Sequence, residues 1–246
     1  VPRLILCQSL FDRYGDKLRV VSYYSPELRY VREVISALDL NPENFVDTRE
    51  EWDEAAWRAE KVFLPFAHPR DPRSIQYNDP VPWYANPEHI SLTRKTLLSA
   101  LDATTEQDKL IIYISRKDVR DRRTGRQVSN EDEIIEHLRG RYGDKLYEFQ
   151  GEHHHLQATK DLFSRARAVI GPHGGAFCNL LFAPSSTKVV EFLPAQNPAQ
   201  FYYTLGSCLE MDFWPLPIEG AAHGDELTVA LDELDMILSK AGLIDH

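Results

Sequence analysis

The sequence predicts an α/β fold, and three observations predict it. Beyond Lys109, short apolar runs bounded by Gly or Pro alternate with segments of helical spacing. The stretch from Ala168 to Pro194 holds a complete β-turn-α-β unit. With 246 residues, 43% of them apolar, the chain is long and greasy enough to bury real cores, either one large or two small.

The first half opens on an apolar periodic segment, Leu4-Ile5-Leu6 with Leu10-Phe11. Leu18 to Tyr24 reads as a strand rich in β-branched and aromatic residues. Pro26 to Leu40 reads as a helix whose apolar face is Leu28, Val31, Ile35 and Leu38. Phe45-Val46 and Lys61 to Ala67 read as short strands, and the charged run Arg49 to Glu54 between them as a solvated surface. From His68 to Asn86 the prolines Pro69, Pro72, Pro80 and Pro82 exclude regular helix, and Trp83-Tyr84 adds an aromatic pair. That segment reads as a long loop leading into a helix over Pro87 to Leu101, and long ordered loops are often functional. An interdomain connection is expected near residues 85–105, dividing the chain into domains 1–95 and 96–246.

In the second half the predicted strands are Leu110 to Ser115, Lys145 to Phe149, Ala168 to Gly171, Lys188 to Leu193 and Met211 to Leu216. The predicted helices are Asn130 to Arg139, His155 to Arg167, Ala176 to Ala183, Pro198 to Leu209 and Asp225 to Lys240. Such alternation is Rossmann-like, with a parallel sheet. Ser129 or Asn130, followed by Asp132 or Glu133, supplies a capping box for the first of these helices.

The chemistry concentrates at Gly171-Pro172-His173-Gly174-Gly175. This turn follows a strand and precedes a segment with apolar residues at Phe177, Leu180 and Leu181 and a polar Asn179. Backbone N–H groups and a helix dipole favour an anion there, and glycines let a phosphate come close. His173, between a strand's end and two glycines, has little core to pack into and reads as functional. Glu191, near the end of the next strand, offers acceptors to a ribose. Arg116 lies just past the strand Leu110 to Ser115 and would point to the same crevice, where a guanidinium can bind a diphosphate bidentately. Lys117 is a second cation there. The loop Lys117 to Gln127, with Arg120, Arg122, Arg123 and Arg126, reads equally as an anion-binding lid or a solvated loop.

A net charge of −10 argues against general nucleic-acid binding. Three cysteines, Cys7, Cys178 and Cys208, cannot build a disulfide framework and read as free, mostly buried thiols. No apolar run reaches the roughly 18 residues of a membrane span, and no Asn-x-Ser/Thr sequon occurs. His153-His154-His155 lacks the i, i+4 spacing that converges on one ion, so no metal site is expected. No Asp-x-Asp motif occurs either.

The segment Arg165 to Pro194 resembles the signature of glycosyltransferase family 61, in which a strand ends in G-x-H-G, a segment bearing Asn follows and the next strand contains V-V/I-E. Ile112-Tyr113-Ile114-Ser115-Arg116 resembles the family's Y-I-S-R element and Asn130-Glu131 its N-E element. His173-Gly174-Gly175-Ala176-Phe177-Cys178-Asn179 departs from the family's H-G-A-G-L-T-N, exchanging Ala with Gly and replacing Thr by Cys178. Val1-Pro2-Arg3-Leu4 is similar to an L-P-R-L that in the family follows a stretch with a His and an Asp. The present sequence lacks that stretch, so a fragment or truncated chain with an incomplete N-terminal domain, or else a compact relative, is expected.

The resemblance implies a GT-B type architecture of two Rossmann-like domains facing across a cleft. It implies an inverting, metal-independent transferase that moves a sugar from a nucleotide-sugar, mainly a UDP-sugar, to a glycan or glycoprotein acceptor, with no cofactor. A eukaryotic relative would work in the Golgi or ER lumen, a bacterial one in the cytoplasm. Carried over, Arg116 and His173 meet the diphosphate with Lys117 beside them, Gly174 and Gly175 allow close approach, Asn179 lines the turn and Glu191 binds the ribose or base side. Inversion requires a base on the acceptor side, for which His68 and Asp71 stand after the Lys61 to Ala67 strand. An inactive nucleotide- or glycan-binding relative remains open. A plain Rossmann oxidoreductase is disfavoured because no G-x-G-x-x-G occurs.

Overall fold

The computed structural model describes residues 2–22, 29–47, 58–63, 86–104, 108–117, 127–151, 154–196, 200–219 and 226–244. The chain divides into two compact units, one of residues 1–81, 86–103 and 155–157 and one of residues 82–85, 104–154 and 158–246.

In the first unit the leading apolar segment forms two short helices, α1 (Pro2–Leu6) and α2 (Gln8–Tyr14). The strands β1 (Val20–Ser22) and β2 (Phe45–Asp47) pair in parallel. Between them lies α3 (Arg29–Ala37), which buries Val34 and Ile35. A longer helix, α4 (Pro87–Ala100), buries Ile90, Thr93 and Leu97. Asn86 caps it by accepting from the backbone N–H groups of Glu88 and His89 at 2.9 and 3.2 Å, and Pro87 sits where a missing N–H costs nothing. Residue 95, where the sequence reading ends the first domain, lies inside α4, and the units part between Ala103 and Thr104. Residues 61–63 carry no strand: Val62 is 75% exposed, so no sheet face receives it. The run Arg49 to Glu54 lies outside the described residues.

The second unit is built on a five-stranded, all-parallel sheet of order β4-β3-β5-β6-β7. Its elements in chain order are β3 (Leu110–Ile114), α5 (Glu131–Tyr142), β4 (Leu146–Phe149), α6 (Leu156–Ser164, whose first two residues belong to the first unit), β5 (Ala166–Pro172), β6 (Lys188–Pro194), α7 (Phe201–Cys208), β7 (Asp212–Ile218) and α8 (Leu231–Lys240). Every residue of β3 is buried, as expected of a strand covered on both faces. On one face Ile111, Tyr113, Ala168, Ile170, Val190 and Phe192 pack with Ile134 and Leu138 of α5 and Leu234 and Leu238 of α8. Pro215 and Pro217, which cannot donate to a ladder, stand in β7, an edge strand that leaves their missing N–H groups without cost.

Three local expectations are corrected. Asn130 begins α5, but its side chain does not cap: its amide donates to the Val229 carbonyl at 2.8 Å and its oxygen accepts from the Val229 N–H at 3.1 Å. Residues Gly175–Phe182 form a 3₁₀ segment in place of an α-helix. Its three-residue period buries Phe177, Leu180 and Ala183 completely, whereas the helical face expected from the sequence included Leu181, here half-buried. The three cysteines are free, yet Cys178 is exposed and Cys7 and Cys208 are only partly covered. Cys178 follows Phe177 in the three-residue period and so faces outward.

In the first unit Glu33 accepts from Nδ1 of His155 at 2.5 Å and from the Leu156 N–H at 2.6 Å. Burial pushes its carboxyl up, but the His155 and Leu156 hydrogen bonds and the charges of His155 and Arg29 together hold it below the ordinary value. A depressed carboxylate stabilises the fold above its unfolded pKa and loses that contribution as pH falls through the folded one. Glu33→Gln is therefore destabilising at pH 7, and denaturant unfolding at pH 3 brings variant and wild type together. Gly171 tests the sheet: its φ is +156°, and an added Cβ would lie 2.8 Å from the Ile114 carbonyl oxygen and 2.9 Å from its Cβ. Gly171→Ala is expected to cost about 1–3 kcal/mol or more in chemical denaturation, while Gly143→Ala, with φ +54° and open space around it, costs about 1 kcal/mol.

Candidate functional site

A doubly wound sheet leaves a crevice where the strand order reverses, outside the carboxyl ends of the strands. In this sheet the chain runs from β3 outward to β4 and returns to the other side of β3 as β5, so the reversal falls between β3 and β5. Arg116 follows β3 and His173 follows β5. The topology therefore brings together two residues that stand 57 positions apart.

Arg116 is held at both ends. Its backbone N–H donates to Glu131 at the first position of α5 (3.2 Å), and its Nη1 donates a long bond to the His173 carbonyl (3.4 Å). Glu131 is buried, and burial pushes its carboxyl up, opposed by hydrogen bonds from the Ser115 hydroxyl and the Arg116 N–H. The guanidinium passes over Gly174: an added Cβ there would lie 2.2 Å from Nη1. Gly174 has φ 171°, extended backbone open to any residue, so the room it leaves for Arg116 is what requires glycine. Around Gly175 an added Cβ meets nothing within 4 Å, which leaves an open approach to the backbone at the start of the 3₁₀ segment. The first N–H groups of such a segment have no partners within it.

His173 sits beneath this rim with its side chain 6% exposed. Its backbone N–H donates to the Phe192 carbonyl at 3.1 Å, and its Nδ1 lies 2.6 Å from Oε1 of Glu191, which is fully buried. The ring contacts Tyr202 and Phe201 at centroid distances of 5.0 and 6.1 Å. Burial pushes the Glu191 carboxyl up, and the hydrogen bond and charge of His173 pull the other way. Glu191, expected at a ribose, thus takes His173 as its partner.

Of the other residues predicted from sequence, Lys117 binds Asp132 of α5, and that hydrogen bond raises its ammonium above the ordinary range. Asn179 is half-buried within the 3₁₀ segment. His68 and Asp71 lie outside the described residues. Among the three histidines, His154 stacks on Phe149 at 5.0 Å and His155 binds Glu33. Among the described residues no group of three or more His, Cys, Asp and Glu side chains could hold a metal ion, and no helix is long and apolar enough to cross a membrane.

Sequence reasoning missed Tyr202 and Phe201 as the aromatic wall and Glu131 as the anchor of Arg116. The signal for the first pair was the Phe-Tyr-Tyr run opening a helix after the β6 strand, on the same rim of the sheet. Together the site offers a cation and an imidazole beside exposed backbone, a combination suited to a phosphate-bearing ligand. Gly174→Ala is expected to push the guanidinium away from the His173 carbonyl, seen in a crystal structure of the variant, with a smaller loss of stability than Gly171→Ala.

Compared with known families, residues 24–190, more than half of the chain, match the family model described as Glycosyltransferase 61. No curated protein matches the chain.

Proposed function

Because the chain belongs to glycosyltransferase family 61 and is a glycosyltransferase, we propose that its second unit binds the diphosphate of a UDP-sugar donor against Arg116 and His173. The observation that carries this reading is the placement of both side chains at the reversal of strand order, beside the open backbone at Gly175. A diphosphate gains charge as the bond to the anomeric carbon breaks, and preorganised donors stabilise that charge without reorganising at the moment of reaction. Gly174 admits the guanidinium, and Asn179 completes the rim.

The transfer inverts configuration: a base takes the proton of an acceptor hydroxyl, its oxygen attacks the anomeric carbon from the face opposite the diphosphate, and UDP departs. His68 and Asp71, which can accept a proton, are the proposed bases; the glycan or glycoprotein acceptor and the GT-B organisation of the two domains rest on the family. Leaving-group charge is handled by Arg116 and His173 without a divalent ion, a reading supported by the lack of any Asp-x-Asp in the sequence.

Calorimetric titration with UDP in EDTA tests it. Wild type binds, and Arg116→Ala weakens binding by about 1.5–3 kcal/mol, roughly 10- to 100-fold. Binding that appears only with added magnesium, or that ignores Arg116→Ala, contradicts the assignment.

A further inference from the structure

Glu191 bears on how His173 presents itself. The 2.6 Å contact engages Nδ1, so Nε2 is the ring nitrogen left for a ligand. The second carboxylate oxygen, Oε2, is buried with no hydrogen-bond partner. Glu191 stands on the face of β6 opposite Val190 and Phe192, where no water-facing role is open to a fully buried carboxyl. A carboxylate buried this way is costly unless a partner compensates it, and His173 is that partner.

The pair can be counted as one acid. With two protons, one lies in the Nδ1–Oε1 bridge and one on Nε2, the pair is neutral and Nε2–H donates. With one proton, the bridge keeps it, the pair carries a negative charge and Nε2 presents a lone pair that repels phosphate oxygen. Among the described residues, the groups facing the pair are Arg116 from the end of β3, whose guanidinium reaches the His173 carbonyl, and Tyr202 of α7, whose phenol also meets the Cys178 thiol of the 3₁₀ segment. From β6, Phe192 presents only its carbonyl to the His173 N–H.

We propose that Glu191 is a positioning residue that fixes His173 with Nε2–H aimed at the donor diphosphate, so that diphosphate binding depends on one proton held by the His173–Glu191 pair. This rests on the donor site assigned above. It gives Glu191 a role behind the imidazole instead of at the ribose, and it makes the binding of a nucleoside diphosphate pH-dependent.

The test is UDP affinity from pH 7.5 to 10, where the nucleotide's own phosphates stay ionised, for wild type, Glu191→Gln and His173→Gln. His173→Gln reports what all other titrating groups contribute. Relative to it, wild-type affinity falls through one single-proton step, about tenfold per pH unit beyond the midpoint. In Glu191→Gln, whose amide can serve Nδ1 without holding a charge, the step is absent or moves by at least about one pH unit. A wild-type affinity that runs parallel to that of His173→Gln across this range, or a step unchanged in Glu191→Gln, overturns the proposal while leaving the donor site standing. Failure of wild type to bind UDP at any pH overturns the donor site itself. If Glu191→Gln does not fold, ¹⁵N spectra of the wild-type UDP complex at pH 8 decide: a protonated Nε2 supports the pair, and an unprotonated Nε2 overturns it.

Discussion

The close approach of β5 to β3 is the constraint on which the rest depends. Gly171 lies against the Ile114 backbone with no room for a Cβ, and one residue further along the two strands begin to turn away into Arg116 and His173. Any side chain at Gly171 would wedge the strand ends apart and pull the guanidinium from the carbonyl it reaches. The ladder that pairs Tyr113 with Ile170 is therefore both fold and site. Covering the sheet on both faces makes that ladder rigid enough to hold two polar groups in register.

Two buried carboxylates hold the candidate site, one by the Arg116 backbone and one by the His173 ring. Glu131, at the start of α5, takes the Arg116 N–H and the Ser115 hydroxyl. Glu191, inside β6, takes the imidazole. Both are pushed up by burial and both are offset by the group they hold. A site assembled this way places its supporting acids in the core and the cation and imidazole at the carboxyl ends of the strands, where, on the proposed reading, preorganised electrostatics would act on the donor's diphosphate.

The alternation of the second unit was legible because strands buried on both faces leave continuous apolar runs, as in Leu110 to Ile114, with segments of helical spacing between them. The pairing of Arg116 with His173 was legible too, since both follow strands of one parallel sheet. What escaped the sequence depended on long-range partners. Asn130 carries the pattern of a cap, but Val229, 99 residues away, claims its side chain. Glu191 sits near a strand's end like a ligand residue, yet the alternation of side chains along β6 turns it inward to His173. Over eight residues a period of 3.0 and one of 3.6 differ by a single position, so Leu181, expected on the buried face, is only half-buried in the structure. In the first unit, of the expected strand Lys61 to Ala67 only residues 61–63 are described; they have strand-like composition, but no face covers Val62, and composition alone cannot supply one.

The measurement that tests the account most directly is a crystal structure of the protein with UDP. The diphosphate is expected at the carboxyl ends of β3 and β5, with a phosphate oxygen within hydrogen-bond distance of the Arg116 guanidinium and another facing Nε2 of His173, and Glu191 still bonded to Nδ1. UDP seated elsewhere on the sheet, or a ribose hydroxyl bonded to Glu191 with His173 turned away, would contradict it.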